Sequence, residues 1–263
     1  MDICYFPLLL CYLLTLIVFY LHYFIISDIC FVIAIAIGIG FVLCYFFSER
    51  LFQILVMPLK ANMPAGDRLI FTNLPEMFFT YLKTAFLAGA MLVAPMLFYQ
   101  LWMFIAPGLY QNEKRFAIPF VVFSTLLFVG GSLFGYFVVF PFGFRFFLGF
   151  ANDYIQALPS VKQYFSFAIK LLLAFGVVFE LPVVIFFLAR MGLVTPELLR
   201  RKRKYAILLT FVMASILTPP DVITQLMMAA PLLILYEISI FIAKIAGKRR
   251  AAAKEALKKG AEE

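Results

Sequence analysis

The sequence predicts an all-α integral membrane protein, and three observations carry that prediction. The chain is 65% hydrophobic, far above the ~45–50% apolar share of ordinary globular domains. Its apolar residues gather in uninterrupted runs of membrane-spanning length, about 20 residues each. Its formal charge of +8 is unevenly placed, with lysine and arginine concentrated in alternate connections. Cys4, Cys11, Cys30 and Cys44 lie in apolar runs without CxxC or metal-ligand spacing, and His22 is the only histidine. No phosphate loop, catalytic carboxylate pair or nucleophile with a base is present. The composition points away from an enzyme, and no cofactor or metal is expected.

Ile3 to Ile26 is an apolar run without a charge. Asp2 stands where a secretory signal would be basic, the run is too long, and no small-residue cleavage site follows, so the run reads as a span. After Ser27-Asp28 a second span runs from about Ile29 to Phe47, with Gly38 and Gly40 offering a small packing face. Ser48 to Pro75 carries five charges and three prolines and reads as a folded loop with short helices. The next spans run from Glu76 to Ile105 and from Phe116 to Phe140, the latter stopped by Pro141. Phe142 to Gln163 is then a second loop, and Tyr164 to Ala189 spans again.

Thr195-Pro196-Glu197 is an N-cap, a proline at the first helical position and an acid in the first turn. The following run, Tyr205 to Leu217, gives roughly 20 Å of helix, short of a hydrocarbon core about 30 Å thick. It turns at Thr218-Pro-Pro-Asp221 into a last span, Val222 to Ala243. Two short spans on a tight turn imply local bilayer thinning or tilted neighbours. The sequence thus divides into an atypical apolar segment (1–29), a membrane domain (30–243) and a basic, Ala- and Lys-rich tail (244–263), expected to be a frayed helix. The atypical segment is either an extra span or a misread start.

Of the 22 lysines and arginines, 15 fall in segments 114–115, 190–204 and 244–259. The positive-inside rule places those segments, and the C-terminus, in the cytoplasm. The run Arg200-Arg-Lys-Arg-Lys204 is a juxtamembrane topology signal rather than a nucleic-acid site.

Two constellations rise above this background. Glu180 is the only charged residue between Leu171 and Leu188, where an ionisable group costs roughly 2.5–3.5 kcal/mol on insertion scales. Pro182 removes a backbone donor two residues on, so the helix should bend beside the carboxylate. Glu180 is either functional, with Gln225 and Glu237 from the last helix, or a protonated staple between helices. By pattern alone, this set equally suits a proton or cation pathway, hence a secondary transporter or proton-conducting channel. The second constellation runs from Gln100 through Trp102, Phe104, Pro107, Leu109, Tyr110 and Glu113 to Arg115. One carboxylate among exposed aromatics on a rigid turn suits a guanidinium partner. An ordinary aromatic belt with Glu113 paired to Lys114 or Arg115 explains it equally well.

Gln100-Leu-Trp-Met-Phe-Ile-Ala-Pro107-Gly-Leu-Tyr-Gln-Asn-Glu113-Lys-Arg115, Phe175-Gly-Val-Val-Phe-Glu180-Leu-Pro182 and Thr218-Pro-Pro-Asp221-Val-Ile-Thr-Gln225 resemble the motifs of the TatC family, the multispan subunits of the twin-arginine protein translocase. Tyr136-Phe-Val-Val-Phe-Pro141 and Leu235-Tyr-Glu237 fit as well, and the resemblance covers about Phe31 to Ala246. It implies six transmembrane helices in a cupped-hand arrangement in the inner membrane, with both termini cytoplasmic. It further implies a multi-copy receptor that binds twin-arginine signal peptides with TatB-like and TatA-like single-span subunits. Folded cargo then crosses under the proton-motive force. By resemblance, Glu113 contacts the arginine pair, with Phe104, Pro107, Leu109, Tyr110 and Arg115 around it. Glu180 is the acid of the concave membrane face, and Pro58, Asp221 and Gln225 match transport-associated positions. The family's usual polar N-terminal helix, with a His-Leu-x-Glu-Leu-Arg type of run, has no counterpart in residues 1–29.

Overall fold

The structure, a computed structural model, describes residues 30–63, 69–105, 117–150, 158–217 and 222–262, with residues 104–105, 117 and 248–262 as backbone alone. The apolar run at 3–26 lies outside the described residues. The elements are α1 (Cys30–Tyr45), α2 (Ser48–Lys60), α3 (Glu76–Ile105), α4 (Ala117–Phe134), a π-helical turn (Gly135–Val139) and α5 (Phe140–Leu148). They continue with α6 (Val161–Phe179), α7 (Leu181–Met191), α8 (Pro196–Arg201), α9 (Arg203–Leu217) and α10 (Val222–Glu262). Among the described residues the only strand-like pairing is an isolated bridge between Ile70 and Ser160.

Glu76–Met103, Ile118–Leu148, Val161–Met191 and Val222–Gly247 are long and apolar enough to cross a membrane. α1 bends by 81° into α2, and α9 is short at 15 residues. Taken in order, these are the six spans expected after residue 29, and the protein is an all-α, multi-pass membrane protein.

One boundary differs from expectation. The helix does not stop at Pro141, and α5 carries on to Leu148, well into the segment read as a loop. The cause is the π turn before it, where the Phe140 N–H bonds back five residues to Gly135 O. That wider turn places Pro141 in the first turn of a new helical segment, where a missing N–H breaks no ladder bond.

Lipid tails offer helices no hydrophobic reason to associate, so close contact between small residues has to do it. α1 crosses α3 at Gly40 and Gly89, where a Cβ on Gly40 would stand 2.9 Å from Gly89 O and one on Gly89 2.7 Å from Phe41 N. Gly38, read with Gly40 as a packing face, meets nothing within 4 Å. α4 crosses α6 at Gly131 and Gly176, and the Ser132 hydroxyl between them donates across the crossing to Leu172 O at 3.1 Å. Phe140, Phe165, Leu171 and Phe175 are among the largest fully buried side chains, and Phe52 of α2 stacks on Phe165 at 4.6 Å.

Pro58 explains how α2 is held. It lies buried inside the helix, one of the short helices expected within the 48–75 connection. A proline cannot donate to the carbonyl four residues back, so Ile54 O has no ladder partner. Tyr136, on the π turn, donates its hydroxyl to that oxygen at 2.6 Å. Tyr164 of α6 donates to the next carbonyl, Leu55 O. Replacing Tyr136 with Phe should therefore cost about 1 kcal/mol. That loss should shrink in a Pro58→Ala background, which restores a backbone donor to Ile54 O. A double-mutant cycle of thermal unfolding in detergent reads the coupling; strictly additive losses would refute the pairing.

Candidate membrane-face site around Glu180

Glu180 sits at the break between α6 and α7. Pro182 lacks the N–H that would bond to Val178 O, and the chain reforms a helix with Val183 and Val184 both donating to Glu180 O, at 3.0 and 2.9 Å. Pro182 predicts a bend beside the carboxylate; the structure shows a one-residue break in the helix at Glu180 within a single span, Val161–Met191. Val177, Leu181 and Val184 are exposed and fall three and four residues apart, so they line the helical face that Glu180 shares.

Behind that face α4 approaches closely. A Cβ on Gly131 would stand 2.6 Å from Phe175 O and 2.7 Å from the Phe179 ring. Ser124, fully buried on α4, lies beside the carboxylate. The two side chains are close enough to interact, yet neither the Ser124 hydroxyl oxygen nor Glu180 Oε1 makes a well-formed hydrogen bond among the described residues. A buried polar group without a partner costs about 1–3 kcal/mol, and native chains keep few of them. The arrangement presents an incompletely satisfied carboxylate under an apolar, outward-facing strip.

Gln225 and Glu237 do not join it. Gln225 Nε2 donates to Phe211 O at 3.0 Å, tying α10 to α9 across their short hairpin. Glu237 accepts from Arg203, with the two side chains 52% and 49% exposed. An exposed ion pair of that kind is worth about 0.2–1 kcal/mol. Neither residue has a hydrogen bond or ion pair to Glu180 among the described residues; each is instead engaged by a partner on α9.

The second constellation is placed only at its edge. Pro107, Leu109, Tyr110, Glu113 and Arg115 lie outside the described residues, as does Asp221, and Phe104 is described as backbone alone. Trp102, near the end of α3, departs from the exposed aromatics expected there. It is 2% exposed, with Phe120 of α4 at 5.0 Å and Phe187 of α7 at 5.2 Å between ring centroids.

Sequence reading missed Glu76. It is 4% exposed and accepts from two directions. Oε2 takes the Thr72 and Asn73 N–H groups at 2.9 and 3.3 Å and the Thr72 hydroxyl at 3.3 Å. Oε1 takes the Lys162 N–H at 2.6 Å and the Ser160 hydroxyl at 2.9 Å. One carboxylate thus joins the entry of α3 to the entry of α6. The signal was legible, since Asn73-Leu-Pro-Glu76 has the spacing of a capping box. Tyr236, quoted from sequence only as part of the Leu235-Tyr-Glu237 motif, donates its hydroxyl to Leu199 O at 2.8 Å.

The family model described as Sec-independent protein translocase protein (TatC) matches residues 9–231, starting inside the apolar segment that the motifs alone left unmatched. A protein of Desulforapulum autotrophicum named Sec-independent protein translocase protein TatC is 60% identical over 216 residues, covering 82% of this chain and 80% of the relative. The protein of the same name from Escherichia coli K12 is 41% identical over 82% of this chain and 84% of its own length. A crystal structure described as the twin arginine translocase receptor TatC superimposes with a TM-score of 0.77 at 41% identity, covering 86% of this chain and 99% of that one.

Proposed function

Because this chain belongs to the TatC family of Sec-independent protein translocase proteins, we propose that its residues divide receptor work between two places, a peptide site at Glu113 and a partner site at Glu180. The chain is a multi-pass translocase component, and its family context implies partner subunits. In our reading it is the receptor and core subunit of the twin-arginine system. It works in several copies with TatB-like and TatA-like single-span proteins, and exports folded cargo under the proton-motive force. The charge distribution supports a cytoplasmic placement of 107–115, 190–204 and the C-terminus in the inner membrane.

The observation that carries the partner site is Glu180 itself, a half-buried carboxylate at a helix break, with exposed Val177, Leu181 and Val184 on the same helical face. A single-span helix bringing one polar donor to that face satisfies the carboxylate, and its apolar side chains cover the strip. In lipid such interhelical bonds contribute about 1–2 kcal/mol in model peptides, enough to set register and leave the contact reversible. The peptide site rests on the family motif around Glu113, with Phe104, Pro107, Leu109, Tyr110 and Arg115 shaping the surface. Pro58, Asp221 and Gln225 then act by holding the connections between spans.

Two variants separate the sites. Glu113→Gln removes a charge that pairs with guanidinium, so crosslinking to a twin-arginine precursor should fall roughly tenfold or more while protein abundance holds. Glu180→Ala should leave that crosslink intact, but weaken crosslinks from cysteines at Val177 and Val184 to the single-span partners and block export. Normal export by Glu180→Ala, with partner crosslinks retained, would reduce Glu180 to a staple between helices. Unchanged precursor crosslinking by Glu113→Gln would move the peptide site elsewhere.

A further inference from the structure

The corner between α8 and α9 concentrates positive charge that the described residues balance only at Arg203. Arg200, Arg201, Lys202, Arg203 and Lys204 follow one another, and all are exposed. Arg200 and Arg201 close α8, where cations suit the helix dipole. Arg203 and Lys204 open α9, where its N-terminal dipole disfavours them. Of these five, only Arg203 has a carboxylate partner among the described residues, Glu237. The Lys202 and Lys204 ammonium groups both stand 5.1 Å from the centre of the Tyr205 ring.

Apolar side chains are exposed beside this charge. Leu193 and Leu198 precede it, Tyr205 closes it, and Ile207, Leu208 and Leu209 continue along the outer face of α9. At 15 residues α9 is about 22 Å long, so its basic first turn is drawn toward the headgroup layer of a hydrocarbon core about 30 Å thick. A soluble acidic partner would account for the cations and leave the neighbouring leucines uncovered. A lipid accounts for both.

We propose that the α8–α9 corner is a binding site for anionic phospholipid, with the phosphate held by Arg200, Arg201, Lys202 and Lys204 and the acyl chains lying on Leu198, Tyr205 and the outer face of α9. The bound headgroup offsets the charge that α9 carries at its N-terminus. Arg203, held by Glu237, fixes the corner against α10 rather than binding lipid.

The test uses the full chain purified in detergent and titrated separately with short-chain phosphatidylglycerol, short-chain phosphatidylcholine and inorganic phosphate. Bound lipid is counted by native mass spectrometry and melting is followed alongside. Phosphatidylglycerol should be retained and should raise the melting temperature, an advantage that shrinks as salt is raised. Phosphatidylcholine and inorganic phosphate should do neither. Replacing Arg200, Arg201, Lys202 and Lys204 with Gln should weaken retention by roughly fivefold per charge removed. Arg200→Lys with Arg201→Lys, which keeps the charge, should stay near the parent. Equal retention of the two lipids by the parent chain overturns the proposal without recourse to a variant. So does an equal response to inorganic phosphate, or undiminished retention in a folded quadruple variant.

Discussion

Removing the Glu76 carboxylate should destabilise the protein more than removing any other acid among the described residues, and the usual conservative replacement should not rescue it. Both oxygens of Glu76 accept from backbone N–H groups, Thr72 and Asn73 on one side and Lys162 on the other. Glu76→Gln turns one acceptor into a donor. Whichever way that amide is flipped, its NH₂ faces a backbone N–H, leaving both donors without a partner. Glu76→Ala strands all five donors. Heating the purified protein in steps, with size exclusion after each, should show both variants losing monodisperse material well below the parent. The Ile70–Ser160 bridge, whose Val161 N–H donates to Ile70 O at 2.9 Å, should open with it. A Glu76→Gln protein that melts with the parent would show that water replaces the lost acceptor and that the clamp is incidental.

Gly130 and Gly131 should respond to alanine in opposite directions. They are neighbours in α4, yet a Cβ on Gly130 meets nothing within 4 Å, whereas one on Gly131 falls 2.6 Å from Phe175 O. The first substitution removes chain freedom from the unfolded state and helix weakness from the folded one, a gain of about 0.4–1 kcal/mol. The second drives two backbones apart where α4 meets α6, an overpacking that costs about 1–3 kcal/mol. Because Phe179 is among the atoms displaced, Gly131→Ala should also disturb the neighbouring Glu180 face and lower export. The pair of melting temperatures in detergent decides it. Shifts of the same sign would mean that the crossing yields more readily than its distances imply.

What the sequence made legible, and what it hid, follows from the range of the forces involved. Helices were readable because lipid demands long apolar runs and internally satisfied backbones, so α3, α6, α7 and the short α9 could be read off directly. The Thr195 cap, which accepts from Leu198 N at 3.2 Å, is equally local. Pro141 misled because the π turn that absorbs it has no simple residue signature. Tyr136 and Tyr164 were silent because their partners are backbone carbonyls 82 and 109 residues away in sequence, and a carbonyl leaves no mark on composition. Gln225 and Glu237 were grouped with Glu180 because all three are polar residues in spans. Each of the two had a nearer partner, Phe211 O and Arg203, that only the packing of α9 against α10 reveals.

Trp102 is the single tryptophan of the chain, and its position makes the protein its own optical reporter. The indole is enclosed by Phe120 of α4 and Phe187 of α7, and α7 is the segment that begins at the Glu180 break. If a partner helix docks on Glu180 and turns α7 about that break, Phe187 must move against the indole. Intrinsic emission, free of any second tryptophan, then records the engagement of an unlabelled receptor as a change in wavelength and quenching, provided the added partner itself lacks tryptophan.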